Sequence, residues 1–211
     1  MRSTPDSART PTRASTKGEE TRLRILERAA PLLNRHGFHN APVSEIMRVT
    51  GLQKGGLYNH FASKEELSLA AFDLIMERVL TRVYETHRSH TSPLAQLIAH
   101  IELIGNGHTV MEGGCPIANG MVESDDANPA LRARVKGVLE RWRRFIAQIV
   151  AEGVVKGEIR ADVNPDEVAT NVIGTLEGAQ LLSQFYADNT YRRRLTEQLL
   201  TYVNDKLRAT A

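Results

Sequence analysis

The chain has a single cysteine, Cys115, in 211 residues. That excludes an internal disulfide framework and suits a reducing compartment, so a cytoplasmic protein is expected. Nowhere do about 18 apolar residues run together, which excludes a membrane-crossing helix and any membrane partner read from one. Basic residues at the N-terminus are followed by no apolar stretch, so no secretory signal peptide is expected. Aromatic residues make up only 5% of the chain, which suits a helical protein with an aliphatic core better than a β-sandwich. The motifs of catalysis are missing as well: the sequence shows no paired-carboxylate site, nucleophile–base signature or phosphate loop. Seven histidines are present. His87 and His90 stand three apart, with His100 and His108 following, but no carboxylate or cysteine completes a metal set at a suitable spacing. No catalytic residue, metal site or cofactor is therefore expected.

Apolar residues are 41% of the chain, enough for a real core, and good helix formers are abundant. The net charge is only +2, but residues 1–60 hold ten Lys/Arg against five Asp/Glu, and the remainder is mildly acidic. A basic head on an acidic body is the electrostatic footprint of a nucleic-acid binder.

Helical patterning begins near Glu20, after a Ser-, Thr-, Pro- and Arg-rich stretch read as a disordered basic tail over 1–17. Leu26, Ala29, Ala30 and Leu33 form one apolar stripe. Pro31 should bend this helix and Gly37 should stop it. Ser63 with Glu66 reads as a capping box that opens a helix with a stripe of Leu67, Ala70, Leu74 and on toward Val83. Ser92-Pro93, Cys115-Pro116, Asn128-Pro129 and Asn164-Pro165 each place proline where a first helical turn accepts it. Gly157 should stop the long helix from Pro129. The last two helices are expected to run to about Asp188 and over Tyr191–Leu207. The expectation is an all-α chain of about nine helices: a helix-turn-helix domain over 18–66 and a ligand-binding, dimerising domain over 67–211.

The segment from Pro42 to Phe61 carries the main functional signal. Val43, Ile46 and Met47 give a short helix an apolar face. Gly51 supplies a left-handed turn. Leu52 buries beneath the turn, and Gln53 to His60 reads as a second short helix with Leu57 and Phe61 inward. This is helix-turn-helix spacing, in which the second helix offers its N-terminal residues to the major groove. Gln53 can pair with a base edge and Lys54 brings a cation. Gly55 and Gly56 let the backbone approach DNA, although each weakens an isolated helix by about 1 kcal/mol relative to Ala. Tyr58, Asn59, His60 and Lys64 can donate to phosphates. Val43 and Ser44, at the start of the first short helix, complete the candidate DNA-contacting set.

The run Gly51-Leu-Gln-Lys-Gly-Gly-Leu-Tyr-Asn-His-Phe-Ala-Ser-Lys-Glu-Glu-Leu67 resembles the TetR family of regulators, as does Ala29-Ala30…Gly37-Phe38 before it. The resemblance is specific over about residues 20–75. Beyond that it rests on helix pattern and length. It implies an Ω-shaped homodimer whose two heads occupy successive major grooves of a palindromic operator, with a small-molecule effector in the body splaying the heads. Two positions depart from the family pattern. Ala41-Pro42 stands where Thr or Ser often caps the first short helix, and Gln53 stands where Ser commonly opens the recognition helix.

Gly113-Gly114-Cys115-Pro116 places Cys115 at a helix N-terminus, where the dipole favours thiolate. The segment resembles a TetR-like subgroup that senses electrophiles through a cysteine near this place. The alternative is a small residue filling a helix start, and no Lys or Arg lies in Asp166–Tyr186 to stabilise a thiolate. His108, Trp142, Phe145, Gln180 and Phe185 are candidate effector-pocket residues beside Cys115, the alternative being ordinary core. Gly174 and Gly178, flanked by Leu181, Leu182 and Phe185, together with Leu195, Leu199 and Tyr202 on the last helix, are a candidate two-fold interface. Two other functions compete with the operator-binding repressor: an enzyme on a helical bundle, and an interaction module that has lost DNA binding.

Overall fold

The computed structural model describes residues 16–107, 112–124 and 128–209, and among these the chain forms nine α-helices with no strand beyond the single antiparallel bridge Ile159–Arg208. They are α1 (Lys17–His36), α2 (Val43–Thr50), α3 (Lys54–Tyr58), α4 (Lys64–Arg88), α5 (Pro93–Gly105), α6 (Pro116–Glu123), α7 (Pro129–Val155), α8 (Pro165–Tyr186) and α9 (Thr190–Tyr202), with a π-helical turn at Val203–Leu207. The all-α expectation holds.

The helix starts follow the capping chemistry. Pro93, Pro116, Pro129 and Pro165 each open a helix. Ser92, Asn128 and Asn164 accept first-turn amides with their side chains, whereas Cys115 does not. Ser63 caps α4 through the Glu66 amide, but the Glu66 carboxylate accepts from Ala62 rather than completing a box. The full capping box is at Thr16 and Glu19, so α1 starts at Lys17, earlier than the apolar stripe indicated. It runs through Pro31 to a C-cap at Gly37. The tail expected over 1–17 lies outside the described residues except for Thr16 and Lys17, which open α1.

Two apolar clusters form the core. The first joins α1, α2, α3 and the first half of α4 to Ile117 of α6 and to Leu131, Val135 and Val138 of α7. The second joins α5, the second half of α7, α8, α9 and the closing π-turn. Trp142 packs against both. The inward face of α4 is Leu67, Ala71, Phe72, Ile75, Met76 and Val83. Ala70 and Leu74 are only half-buried, so the stripe lies one position further along than the periodicity placed it. Phe72 sets this face, meeting Phe38 edge-to-face at 5.4 Å between ring centroids.

Candidate nucleic-acid interface and ligand cavity

Helices α2 and α3 are joined through Gly51, whose φ of +72° is the left-handed turn the sequence called for. Ile46, Leu57 and Phe61 are buried beneath the turn, while Leu52 is half-buried. The second short helix is shorter than Gln53–His60. It spans Lys54–Tyr58, with Gln53 as a backbone N-cap whose side chain makes no cap bond. Two adjacent glycines in five residues explain the length, since each lowers helix propensity. Pro42 likewise offers α2 no side-chain cap, and Ala41 is buried.

The head is braced from α1. Arg22 donates to the His60 carbonyl and to Glu66 at 2.9 Å, and its guanidinium lies 4.0 Å over the Phe61 ring centroid. Arg28 donates to the Thr50 carbonyl at 3.2 Å, satisfying the end of α2. Arg48 pairs with Glu45, and Arg35 pairs with Glu112. Much of the positive charge counted in the sequence is therefore spent within the chain. Lys64, expected to reach phosphate, donates to the His39 carbonyl, and burial pushes its pKa below the ordinary lysine value. Lys54 is exposed and enters no hydrogen bond or ion pair with the described residues. Ser44, Gln53, Gly55 and Asn59 are exposed beside it, and Val43, Gly56, Tyr58 and His60 are half-buried. A Cβ at Gly55 would meet nothing within 4 Å, so the chain's own packing does not require glycine there.

In the body, α4, α5, α6, α7 and α8 enclose a cavity of about 440 Å³. Cys115, Trp142, Phe145 and Gln180 line it, as the sequence suggested. Phe185 does not: it is 82% exposed on the outer face of α8. His108 lies outside the described residues. Sequence reasoning missed His100 and Glu177, which both line the cavity. The signal for Glu177 was a carboxylate in the Ala169, Ile173, Glu177 row of α8, a row that otherwise faces inward.

The polar groups of the cavity form two sets. Trp142 Nε1 donates to His100 Nε2 at 2.8 Å, and His100 Nδ1 lies 3.2 Å from His87 Nε2. An indole can only donate, so the His100 proton sits on Nδ1 and is given to His87. Burial, with His87 beside it, pushes the His100 pKa down to about 3. The two histidines thus form a neutral pair, and among the described residues no group of three or more His, Cys, Asp or Glu is placed to hold a metal.

The second set is Cys115 and Glu177. The thiol donates to Glu177 Oε1 at 3.1 Å. The thiolate expected from the helix dipole does not form: burial and the Glu177 carboxylate push the Cys115 pKa well above the ordinary thiol value. Burial also raises the Glu177 pKa, against the lowering effect of the thiol hydrogen bond. Glu177 Oε2 is buried with no hydrogen-bond partner among the described residues.

Helix α6 joins the cavity to the head. Its N-cap is Cys115, in the cavity wall. At its other end the Glu123 carboxylate accepts the His39 amide at 2.9 Å, in the turn between α1 and α2. Between them Asn119 donates to the Asn34 carbonyl at 2.8 Å and the Gly113 carbonyl at 2.9 Å. Asn34, buried in the last turn of α1, donates in turn to the carbonyls of Glu112 at 2.9 Å and Gly114 at 3.1 Å.

On the outer face of α8, Gly174 and Gly178 have no heavy atom within 4 Å of where a Cβ would stand. Leu181, Leu182, Phe185 and Tyr186 are exposed beside them. Leu199 does not join this face: it is only 3% exposed, packed into the second core cluster, because it lies on the side of α9 that meets its own chain. Leu195 and Tyr202 are half-buried.

Known proteins share this arrangement. A family profile for bacterial regulatory proteins of the tetR family matches residues 25–71, and one for the tetracyclin repressor-like C-terminal domain matches residues 93–199. The chain is 27% identical over 189 residues to the HTH-type transcriptional repressor DhaR of Mycobacterium sp. (strain GP1), covering 88% of this chain and 91% of that protein. It is 31% identical over 153 residues to the HTH-type transcriptional regulator UidR of Escherichia coli K12, covering 71% of this chain and 74% of that one. The crystal structure of a TetR transcriptional regulator from Chloroflexus aurantiacus superposes with a TM-score of 0.87 at 40% identity, covering 92% of this chain and 99% of that one. A braced helix-turn-helix over a helical body with an apolar cavity, matched at both ends by family profiles, makes this chain a member of the TetR family of DNA-binding transcriptional regulators.

Proposed function

We propose that the chain is a homodimeric repressor that holds a palindromic operator through α2 and α3 and releases it when a small molecule enters the cavity. The observation that carries this reading is the path of α6: one end is a wall of the cavity and the other accepts a head amide through Glu123. A ligand that favours a different position of α6 shifts the head by its differential affinity for the two positions. The name of the relative DhaR supports repression as the output.

In this reading Gln53, Lys54, Gly55 and Gly56 meet the major groove, and Val43, Ser44, Tyr58, Asn59 and His60 meet the backbone on either side. Lys64 positions the α1–α2 turn instead of reaching phosphate. Cys115 is a wall of the effector site and not an electrophile trap, since burial and Glu177 keep it a thiol. Gly174, Gly178, Leu181, Phe185 and Tyr186 meet their symmetry mates across a two-fold axis, with Leu195 and Tyr202 of α9 at the edge.

Binding of the protein to labelled DNA flanking its own gene, followed by fluorescence anisotropy across a salt series, tests this. Affinity should be sequence-selective and fall steeply with salt. Lys54→Ala and Tyr58→Ala should each weaken binding about tenfold with unfolding midpoints unchanged. Gly55→Ala should stabilise the fold by up to about 1 kcal/mol through helix propensity and still weaken operator binding. Unchanged affinity in all three variants removes the α3 assignment.

A further inference from the structure

Polar groups buried in the chain are, with few exceptions, satisfied by other parts of the chain. Asn34 binds two carbonyls, Thr196 donates to the Arg192 carbonyl, Asn128 caps α7, and the His100 nitrogens are both engaged. The exceptions among the described residues are Ser68 Oγ and Glu177 Oε2. Only Glu177 of these two lines the cavity. Glu177 is 7% exposed, so an unpaired oxygen there carries a desolvation cost that the fold does not relieve.

The donors available from each wall decide what could relieve it. From α5 and α7, the His100 and Trp142 N–H groups are committed to His87 and His100. From α6, the Cys115 thiol is committed to Glu177 Oε1. From α8, Gln180 Oε1 accepts from Arg192, and the Gln180 Nε2 amide remains as a donor that is neutral and brings no cation. The cations that line the cavity, Arg82 of α4 and Arg141 of α7, are exposed and therefore sit at its rim. Among the described residues the interior thus offers a carboxylate oxygen without a cation, lined by apolar side chains and the rings of Trp142 and Phe145. Charge-assisted hydrogen bonds are about twice as strong as neutral ones, and an ammonium beside aromatic faces gains further.

We propose that the cavity takes a small lipophilic ammonium ion, its nitrogen paired with Glu177 Oε2 and its hydrocarbon body against the apolar walls. This rests on reading the cavity as the effector site. A volume of about 440 Å³ lies in the range of small-molecule pockets. Among the described residues an anionic head finds no uncommitted cation inside, and an alcohol's hydrogen bond to the carboxylate lacks the ion-pair attraction that an ammonium adds.

Trp142 is the only tryptophan in the chain and lines the cavity, so its fluorescence reports occupancy. The test uses three probes of one shape at pH 7: cyclohexylmethylamine, cyclohexylmethanol and cyclohexanecarboxylate. The amine should bind about tenfold or more tightly than the alcohol, and the carboxylate weakest. Glu177→Gln, which keeps the shape and the acceptor for Cys115, should remove the preference for the amine and leave the alcohol's affinity within about twofold. Equal binding of amine and alcohol, tightest binding of the carboxylate, no binding of any probe, or an unchanged preference in Glu177→Gln each overturns the proposal. Operator release measured with the same probes separates the two readings. Release by all three without head-group preference keeps the effector site and removes the cation. Amine binding that needs Glu177 but releases no DNA keeps the cation site and removes its effector role.

Discussion

His100 is 1% exposed, and its two ring nitrogens join Trp142 to His87. An unfolded chain protonates this imidazole near the ordinary value of 6.5, while burial and the His87 neighbour hold it neutral in the fold down to about 3. The unfolded state therefore binds more protons across that window. Stability is full above about pH 6.5 and is lost as pH falls toward 3, at up to about 1.4 kcal/mol per pH unit for the one proton. Burial also lowers the His87 pKa, which adds to the loss in the same direction. Urea unfolding of the wild type at stepped pH should show this slope, and His100→Gln should be flatter between pH 6 and 4.5. Equal slopes in the two proteins would mean that acid acts elsewhere. Trp142 emission of the folded wild type should hold steady over the same range, because His100 stays neutral and keeps accepting from the indole until about pH 3.

At the scale of elements, the loop entering α6 is held against the end of α1 by backbone geometry and amide side chains. Gly113 has a φ of +104°, and a Cβ there would lie 2.7 Å from the Arg35 backbone nitrogen, so only glycine lets the loop approach this closely. Asn34 and Asn119 then tie the loop, α1 and α6 together. Asn34→Ala leaves the Glu112 and Gly114 carbonyls short of a donor and removes the Asn34 Oδ1 contact to Asn119, and should cost about 2–3 kcal/mol in urea unfolding. Asn34 and Asn119 act in one network, so a double-mutant cycle should show a coupling of about 0.5–3 kcal/mol, and a value of zero would mean that α6 and α1 are energetically independent. This network was not legible in the sequence, because Asn34 and Asn119 stand 85 residues apart and neither lies in a motif. The helices were legible where local chemistry decides them: four Pro-opened starts, the Gly51 turn and the inward Leu57 and Phe61. What failed was what only three dimensions supply. Burial overrode the helix dipole at Cys115, the His39 carbonyl captured Lys64, and the winding of α8 and α9 turned Phe185 outward and Leu199 inward.

At the scale of the whole molecule, the outer face of α8 is apolar and uncovered by the described residues. Phe185 meets Tyr186 edge-to-face at 5.1 Å, and Tyr186 stacks on Tyr191 at 4.9 Å, so the exposed patch runs from α8 onto the start of α9. Contiguous exposed apolar surface marks a candidate interaction site. Gly174 and Gly178 lie on this helix one turn apart with open space above them, which lets a second helix come close. In the dimer proposed above, a two-fold contact through this patch would set the two α3 helices a fixed distance apart, and successive major grooves ask for about 34 Å. Dimerisation and operator affinity are then one property measured twice. Gly174→Glu adds a charge where the protomer itself has no contact, so it should leave the unfolding midpoint of the isolated chain and its helical circular dichroism intact. Phe185→Glu, at an 82% exposed position, should do the same. Both should move the sedimentation equilibrium from dimer to monomer at micromolar concentration, and both should reduce affinity for the two-half-site operator far more than for a single half-site. A variant that stays dimeric places the interface elsewhere, and a monomer that holds the full operator as tightly as the wild type breaks the link between the α8 face and DNA recognition.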